Sequence, residues 1–245
     1  MIQGLSIYKN YTNSTVLQDV SILAYPGKIT VITGPSGSGK TTLLKCLALL
    51  ENPEKGSVVI DDFKAEFPRD KNVMFDQQFP KLGIVFQNLF LWPHLTNEQN
   101  ITLALGGTLS SHKKELYNKL IGLFDMRDFV KKYPNQSSLG QKQRVALVRT
   151  LMLEPQYLLL DEITASLDIE QSGVLLSYLE ELKKQGVGII IVTHFLMFAQ
   201  KAADQVIFLE NGRIVESGNN SILQEPKTKR LQDFLNSLND VFIKI

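Results

Sequence analysis

The sequence predicts an α/β fold: a mostly parallel sheet, an N-terminal antiparallel β part and an inserted helical subdomain. Three observations carry this expectation. Apolar, β-branched runs at Ile29-Thr30-Val31-Ile32-Thr33, Leu82-Gly83-Ile84-Val85-Phe86, Tyr157-Leu158-Leu159-Leu160 and Gly188-Ile189-Ile190-Ile191-Val192-Thr193 read as buried strands. Residues 1–33 read as short strands around a Pro26-Gly27 turn. From Thr96 to about residue 153 the pattern is mostly helical, with Leu116, Leu120, Leu123 and Phe124 at helical spacing between β-rich flanks.

In chain order, Leu5-Ser6-Ile7-Tyr8 and residues 20–25 are strand-like, and residues 43–50 form a helix candidate. Residues 52–56 make a turn before a strand at Ser57-Val58-Val59-Ile60. Residues 61–81 are polar and broken by Pro68 and Pro80, so they are placed on the surface without an assigned element. Thr96-Asn97-Glu98-Gln99-Asn100 holds an N-cap that opens a helix. Residues 169–184 have amphipathic helical spacing, and residues 206–216 form a hairpin turning on Asn211-Gly212. A tail from 221 to 245 carries Leu231, Phe234, Leu235 and Leu238 at helical intervals. These readings divide the chain into a core (1–87 and 154–220), a helical subdomain (88–153) and a short tail, one domain overall.

The chain's 245 residues suffice for one large α/β domain. Its hydrophobic content of 44% and charged content of 21% are ordinary for a globular protein. A net charge of +1 gives no bulk electrostatic case for nucleic acid or an anionic membrane. The single cysteine, Cys46, cannot form an internal disulfide, which suits a reducing compartment and a packed core thiol. No apolar run approaches the ~18 residues of a membrane span. Met1-Ile2-Gln3-Gly4-Leu5 lacks the pattern of a signal peptide. A membrane role is therefore expected to come through a partner.

Gly34-Pro35-Ser36-Gly37-Ser38-Gly39-Lys40-Thr41-Thr42 fits G-x-x-x-x-G-K-[ST], between a strand and a helix. The glycines let backbone N–H groups turn inward, and the helix N-terminus adds a positive dipole end. Lys40 would neutralise β/γ-phosphate charge, and the Thr41 hydroxyl would bind Mg²⁺. The other apolar runs also end in candidate phosphate chemistry: Gln87, Asp161-Glu162 and His194. Ligands of parallel sheets bind beyond the strands' carboxyl ends, so these segments are expected to converge. Asp161 is a hard oxygen ligand for Mg²⁺. Glu162 can orient or polarise an attacking water. Gln87 can reach metal or water, and His194 can bond a γ-phosphate oxygen and the water. Tyr11 either stacks on a base or is a surface tyrosine, and the residue alone leaves both open. His94 and His112 lack such context and read as structural or surface residues.

With those residues in place, the chain resembles the ATP-binding cassette (ABC) family over residues 1 to about 240. The resemblance implies a RecA-like P-loop NTPase core, with ATP and Mg²⁺ bound. Tyr11 matches the family's adenine-stacking aromatic and Val16 the apolar residue beside ribose and base. Residues 34–42 match the Walker A loop, Gln87 the Q-loop, Asp161-Glu162 the Walker B aspartate and catalytic glutamate, and His194 the switch histidine. Ala165-Ser166-Leu167-Asp168 resembles the D-loop. Residues 141–149 match the helical stretch that continues from the family's signature motif, which anchors the motif itself at Ser137-Ser138-Leu139-Gly140-Gln141. Ser138, Gly140 and Gln141 would face the γ-phosphate held by the opposite subunit.

The chain departs from the family pattern at three places. The usual signature is L-S-G-G-Q, and this chain has S-S-L-G-Q; Leu139 puts bulk where a glycine leaves the backbone free. Ile163 stands where proline usually follows the glutamate, and Phe195 where an acidic residue usually follows the histidine. Residues 49–53, 86–96 and 198–208 look like bacterial polar amino acid importers. The resemblance implies a homodimeric ATPase on the cytoplasmic face of the inner membrane. Its partners would be a transmembrane permease and, indirectly, a solute-binding protein. Residues 88–95 are a candidate dock for a permease helix, or a local core cluster around Trp92. Two rivals remain: a soluble nucleic-acid ATPase, for which no basic patch or long coiled coil is visible, and a low-turnover regulatory cassette.

Overall fold

The computed structural model describes residues 1–12, 14–68, 81–106, 109–163 and 168–242, with side chains to residue 237. Two sheets organise it. The first is antiparallel and holds β1 (Ile2–Tyr11), β2 (Ser14–Ala24), β4 (Lys55–Ile60) and β5 (Phe63–Phe67) in the order β2-β1-β4-β5. The second holds β3 (Ile29–Thr33), β6 (Leu82–Val85), β7 (Tyr157–Asp161), β8 (Gly188–Val192), β9 (Gln205–Glu210) and β10 (Arg213–Gly218). Its order is β10-β9-β3-β8-β7-β6, parallel throughout except for β10 at the edge.

Every residue of β3, β7 and β8 is buried, because both faces of the second sheet are covered. Alternate residues feed different cores. Ile32, Leu159, Ile190 and Leu209 face the antiparallel sheet and α1 (Lys40–Leu47), meeting Ile2, Val58, Leu43 and Leu47. Val31, Leu158, Leu160, Ile191 and Phe208 face the opposite side. There they meet helices α4 (Leu139–Leu151), α5 (Ile169–Lys184), α6 (Leu196–Ala202) and α7 (Lys229–Phe242). This period-two division of an apolar strand is what seats the sheet between two layers.

Between β6 and β7 the chain forms α2 (Asn97–Thr102), α3 (Ser111–Leu123) and α4. Thr96 caps α2 in a full capping box with Gln99, as its spacing predicts. Leu120 and Phe124 are buried, whereas Leu123, expected on the same apolar face, is 36% exposed at the end of α3. The predicted helix at 169–184 matches α5, and the Asn211-Gly212 turn joins β9 to β10 with both residues at positive φ.

Part of the polar stretch 61–81 does form an element. Phe63, Ala65 and Phe67 alternate with the charged Lys64 and Glu66 to make β5, whose Ala65 and Phe67 are buried. The period-two signal spans only five residues and stops at Pro68, and the charges sit on an edge strand. The rest of that stretch, 69–80, lies outside the described residues, as do Ala165, Ser166, Leu167 and the side chain of Leu238.

Candidate functional site

The carboxyl ends of β3, β6, β7 and β8 converge as expected. Val16, Gly34, Ser36, Gly37, Gly39, Lys40, Thr41, Thr42, Gln87, Glu162 and His194 line one open cleft of about 640 Å³. A slightly larger cleft of about 710 Å³ lies between α3 and α5, with Lys119 and Tyr178 in its wall. Its wall carries neither the 34–42 loop nor the carboxyl end of a strand, so chemistry rather than size selects the site.

The loop from 34 to 39 needs glycine at its two ends, where the backbone runs too close to its neighbours for a Cβ. Gly34 has φ +148, and a Cβ there would lie 2.0 Å from the Leu209 carbonyl. Gly39 has φ +102, and a Cβ would meet the Val16 carbonyl at 2.8 Å. Pro35 accepts from the Ser38 N–H at 3.2 Å, closing the turn. From below, Gly212 in the β9–β10 turn donates its N–H to the Ser38 carbonyl at 3.1 Å. Sequence reading saw Asn211-Gly212 only as a hairpin turn; nothing local shows that it braces this loop.

The Lys40 ammonium lies buried in the loop and donates to the Gly34 and Pro35 carbonyls at 2.9 and 2.8 Å. Burial pulls it below the usual lysine range, opposed by the charges of Glu162 and Asp161. The buried Ser38 hydroxyl has no hydrogen-bond partner. A buried cation whose hydrogen bonds go to two backbone carbonyls, beside an orphaned hydroxyl, suits an incoming phosphate.

Thr41 donates to both Asp161 carboxylate oxygens, at 3.1 and 2.9 Å. Burial pushes the Asp161 carboxyl above its ordinary value; the Thr41 hydrogen bond opposes this and the Glu162 charge adds to it. Glu162 follows at φ +55, a backbone conformation unusual for a side chain this large. Its N–H donates to the Val192 carbonyl at 2.9 Å, and its carboxylate meets His194 Nδ1 at 2.7 Å. The turn thus aims adjacent carboxylates in different directions, Asp161 toward Thr41 and Glu162 toward His194.

Tyr11 ends β1, half-exposed outside the cleft lining. Its hydroxyl donates to Glu51, its ring lies under Lys9 Nζ at 5.2 Å, and Thr42 is a neighbour. Burial and the Glu51 bond push its phenol up to about 12. Ser138, Gly140 and Gln141 are absent from the cleft lining and begin α4 instead. Ser138 caps that helix in a capping box with Gln141. Leu139 is 57% exposed at the first helical position with an ordinary negative φ. Leucine is therefore not strained there, and the concern raised by the missing glycine does not arise from the backbone.

Just after Gln87, Leu89 is buried while Phe90 and Trp92 are exposed. Arg149 of α4 donates to the Phe90 and Leu89 carbonyls at 2.9 and 2.8 Å and lies 5.5 Å from the Trp92 ring centroid. Arg149 closes the 141–149 stretch matched after the signature motif, but its hold on a loop some sixty residues away has no signal in the sequence.

Comparison with known proteins decides the family. The model of the ABC transporter family matches residues 17–165. The chain belongs to the ABC transporter family. The arginine transport ATP-binding protein ArtM of Bacillus subtilis is 38% identical, covering 97% of this chain and 100% of that protein. The glutamine transport ATP-binding protein GlnQ of Escherichia coli is 36% identical, over 96% and 98%. Among solved structures, a dimeric post-hydrolysis ATP-binding cassette bound to ADP and Pi superposes with a TM-score of 0.82 at 29% identity, covering 90% of this chain and 99% of that one. This ABC chain is an ATP-binding, transport-coupled ATP hydrolase, and the two sheets with their covering helices are the family's α/β architecture.

Proposed function

We propose that this chain powers import of a polar amino acid through a separate permease, working as a homodimer on the cytoplasmic face of the bacterial inner membrane. The convergence of four strand ends on one glycine-loop cleft carries the ATPase part. The amino acid part rests on the relatives, which are named for arginine, glutamine and cystine. No helix among the described residues is long and apolar enough to cross a membrane, so attachment would come through the permease.

ATP phosphates would sit on the N–H groups of residues 34–42, with Lys40 exchanging its carbonyl partners for phosphate oxygens. Val16 and Tyr11 would flank ribose and adenine. The oxygens of Thr41, Asp161 and Gln87 suit Mg²⁺, which takes one or two carboxylates plus substrate phosphates. When bound, Mg²⁺ would neutralise phosphate charge as a Lewis acid. Glu162 would orient the attacking water, with His194 holding its carboxylate at 2.7 Å and free to bond a γ-phosphate oxygen. At the start of α4, away from their own cleft, the exposed Ser138 and the half-buried Gly140 and Gln141 would cover ATP bound by a second copy. Phe90 and Trp92, exposed and backed by Arg149, would receive a permease helix, which in turn communicates with a solute-binding protein.

Glu162→Gln tests the core of this reading. The variant should bind ATP, lose about 10²-fold or more in turnover, and accumulate as an ATP-bound dimer on size-exclusion chromatography. Full hydrolysis by the variant would remove Glu162 from its role. Uptake of radiolabelled amino acids by vesicles carrying the permease identifies the solute.

A further inference from the structure

We propose that Asn97 is a positioning residue for the signature corner at Ser138, acting through a buried polar lock on Ser137. The proposal rests on the reading above, in which that corner covers ATP held by a second copy.

Ser137 stands where the L-S-G-G-Q pattern has leucine, so a hydroxyl replaces an apolar side chain at a position only 8% exposed. Asn97, the first residue of α2, is fully buried beside it. Asn97 Nδ2 donates to Ser137 Oγ at 2.9 Å and to the Phe129 carbonyl at 2.8 Å. The Phe129 oxygen can only accept, which fixes the orientation of the amide. The Ser137 hydroxyl passes its own hydrogen to the Tyr133 carbonyl at 3.3 Å. The backbone repeats the connection, since Asn97 N donates to the Lys132 carbonyl at 2.8 Å and Glu98 N to the Val130 carbonyl at 2.7 Å. The start of α2 is thereby tied to the segment that leads into Ser138.

The same helix holds the other side. Asn100 accepts from the Trp92 N–H at 2.8 Å and donates to the Trp92 carbonyl at 3.1 Å. One turn of helix therefore grips the exposed 90–92 segment at one end and the signature corner at the other. Stability alone is a poor account of the amide. Asn97 Oδ1 is buried without a hydrogen-bond partner, a cost that an apolar residue would avoid. Ser137 and Asn97 form a matched pair: either one beside an apolar partner leaves buried hydrogen-bonding capacity unused. The unusual signature is thus compensated from a different helix, and the lock fixes the direction in which Ser138 and the α4 N-terminus point.

The test uses the full chain with Glu162→Gln as parent, adding Asn97→Val, Ser137→Leu, Ser137→Ala and the pair Asn97→Val with Ser137→Leu. ATP-driven dimerisation is followed by light scattering, nucleotide affinity of the dilute monomer by a fluorescent ATP analogue, and folding by thermal melting. Each single change should raise the ATP concentration needed for dimerisation by about tenfold while monomer affinity stays at the parent value. The pair should recover to within about threefold of the parent. Ser137→Ala adds no volume, so it reads the lost hydrogen bond even where Ser137→Leu does not fold. Singles that melt lower but dimerise at the parent's ATP concentration overturn the proposal and leave a structural role only. A pair as impaired as the sum of its singles also overturns it. A parent that never dimerises with ATP overturns the two-copy reading, and this inference with it; a parent that dimerises while the singles do so equally well overturns this inference alone.

Discussion

Gly39 shows how much of the site is decided by single residues. Its φ of +102 and its contact with the Val16 carbonyl leave no place for a methyl group. Gly39→Ala should cost about 1–2 kcal/mol in backbone strain, plus displacement of the β2 backbone at Val16. Because Val16 lines the same cleft, ATP affinity should fall at least tenfold, read by titration with a fluorescent analogue. Retained affinity would mean that the loop reorganises around the added atom. The motif spacing made Gly34, Gly39, Lys40 and Thr41 legible before any coordinates, because phosphate binding places strict demands on residue type. Tyr11 was less legible. Its pairing with Glu51 depends on β1 lying beside the end of α1, which no local pattern encodes.

At the scale of elements, β10 and α7 are joined through one carboxylate. Glu216 is buried in β10 and accepts from the N–H groups of Lys227 and Thr228, both at 2.9 Å, and from the Thr228 hydroxyl at 2.6 Å. Burial pushes its carboxyl up, but these hydrogen bonds outweigh burial and hold it below the usual range. With the folded value below the unfolded one, its stabilisation is present above the ordinary carboxylate range and is lost as pH falls through the depressed value. Glu216→Gln should destabilise the chain by about 1–3 kcal/mol at neutral pH. The difference in melting temperature between parent and variant should shrink in acid. A gap independent of pH would show that the charge is not what ties the tail. The helical spacing of Leu231, Phe234 and Leu235 was readable, and all three are buried. The carboxylate that anchors the helix start was not, since its partners lie in the connection just before α7.

For the whole molecule, the arrangement separates where ATP binds from where motion would leave. The cleft lies at the carboxyl ends of the parallel strands, whereas Phe90 and Trp92 stand on the surface beyond β6, held by Arg149 and Asn100. Phe90 is 63% exposed and contributes little to the core, so Phe90→Asp should leave melting temperature and ATP binding near the parent values. Co-purification with the permease should be lost. Unchanged co-purification would move the docking surface elsewhere.

Residue type and spacing were enough for the α/β class, the glycine loop, the carboxylates at the end of β7 and the α5 helix. Each depends on chemistry or periodicity within a short window. Fully buried parallel strands are continuous apolar runs, and phosphate loops permit few alternatives. Three other features required the tertiary structure. The β9–β10 turn braces Ser38, Arg149 clamps the loop after Gln87, and Asn97 answers the serine at 137. All three are hydrogen bonds between segments far apart in the chain, and a polar residue carries no sign of its distant partner until the backbone brings the two together.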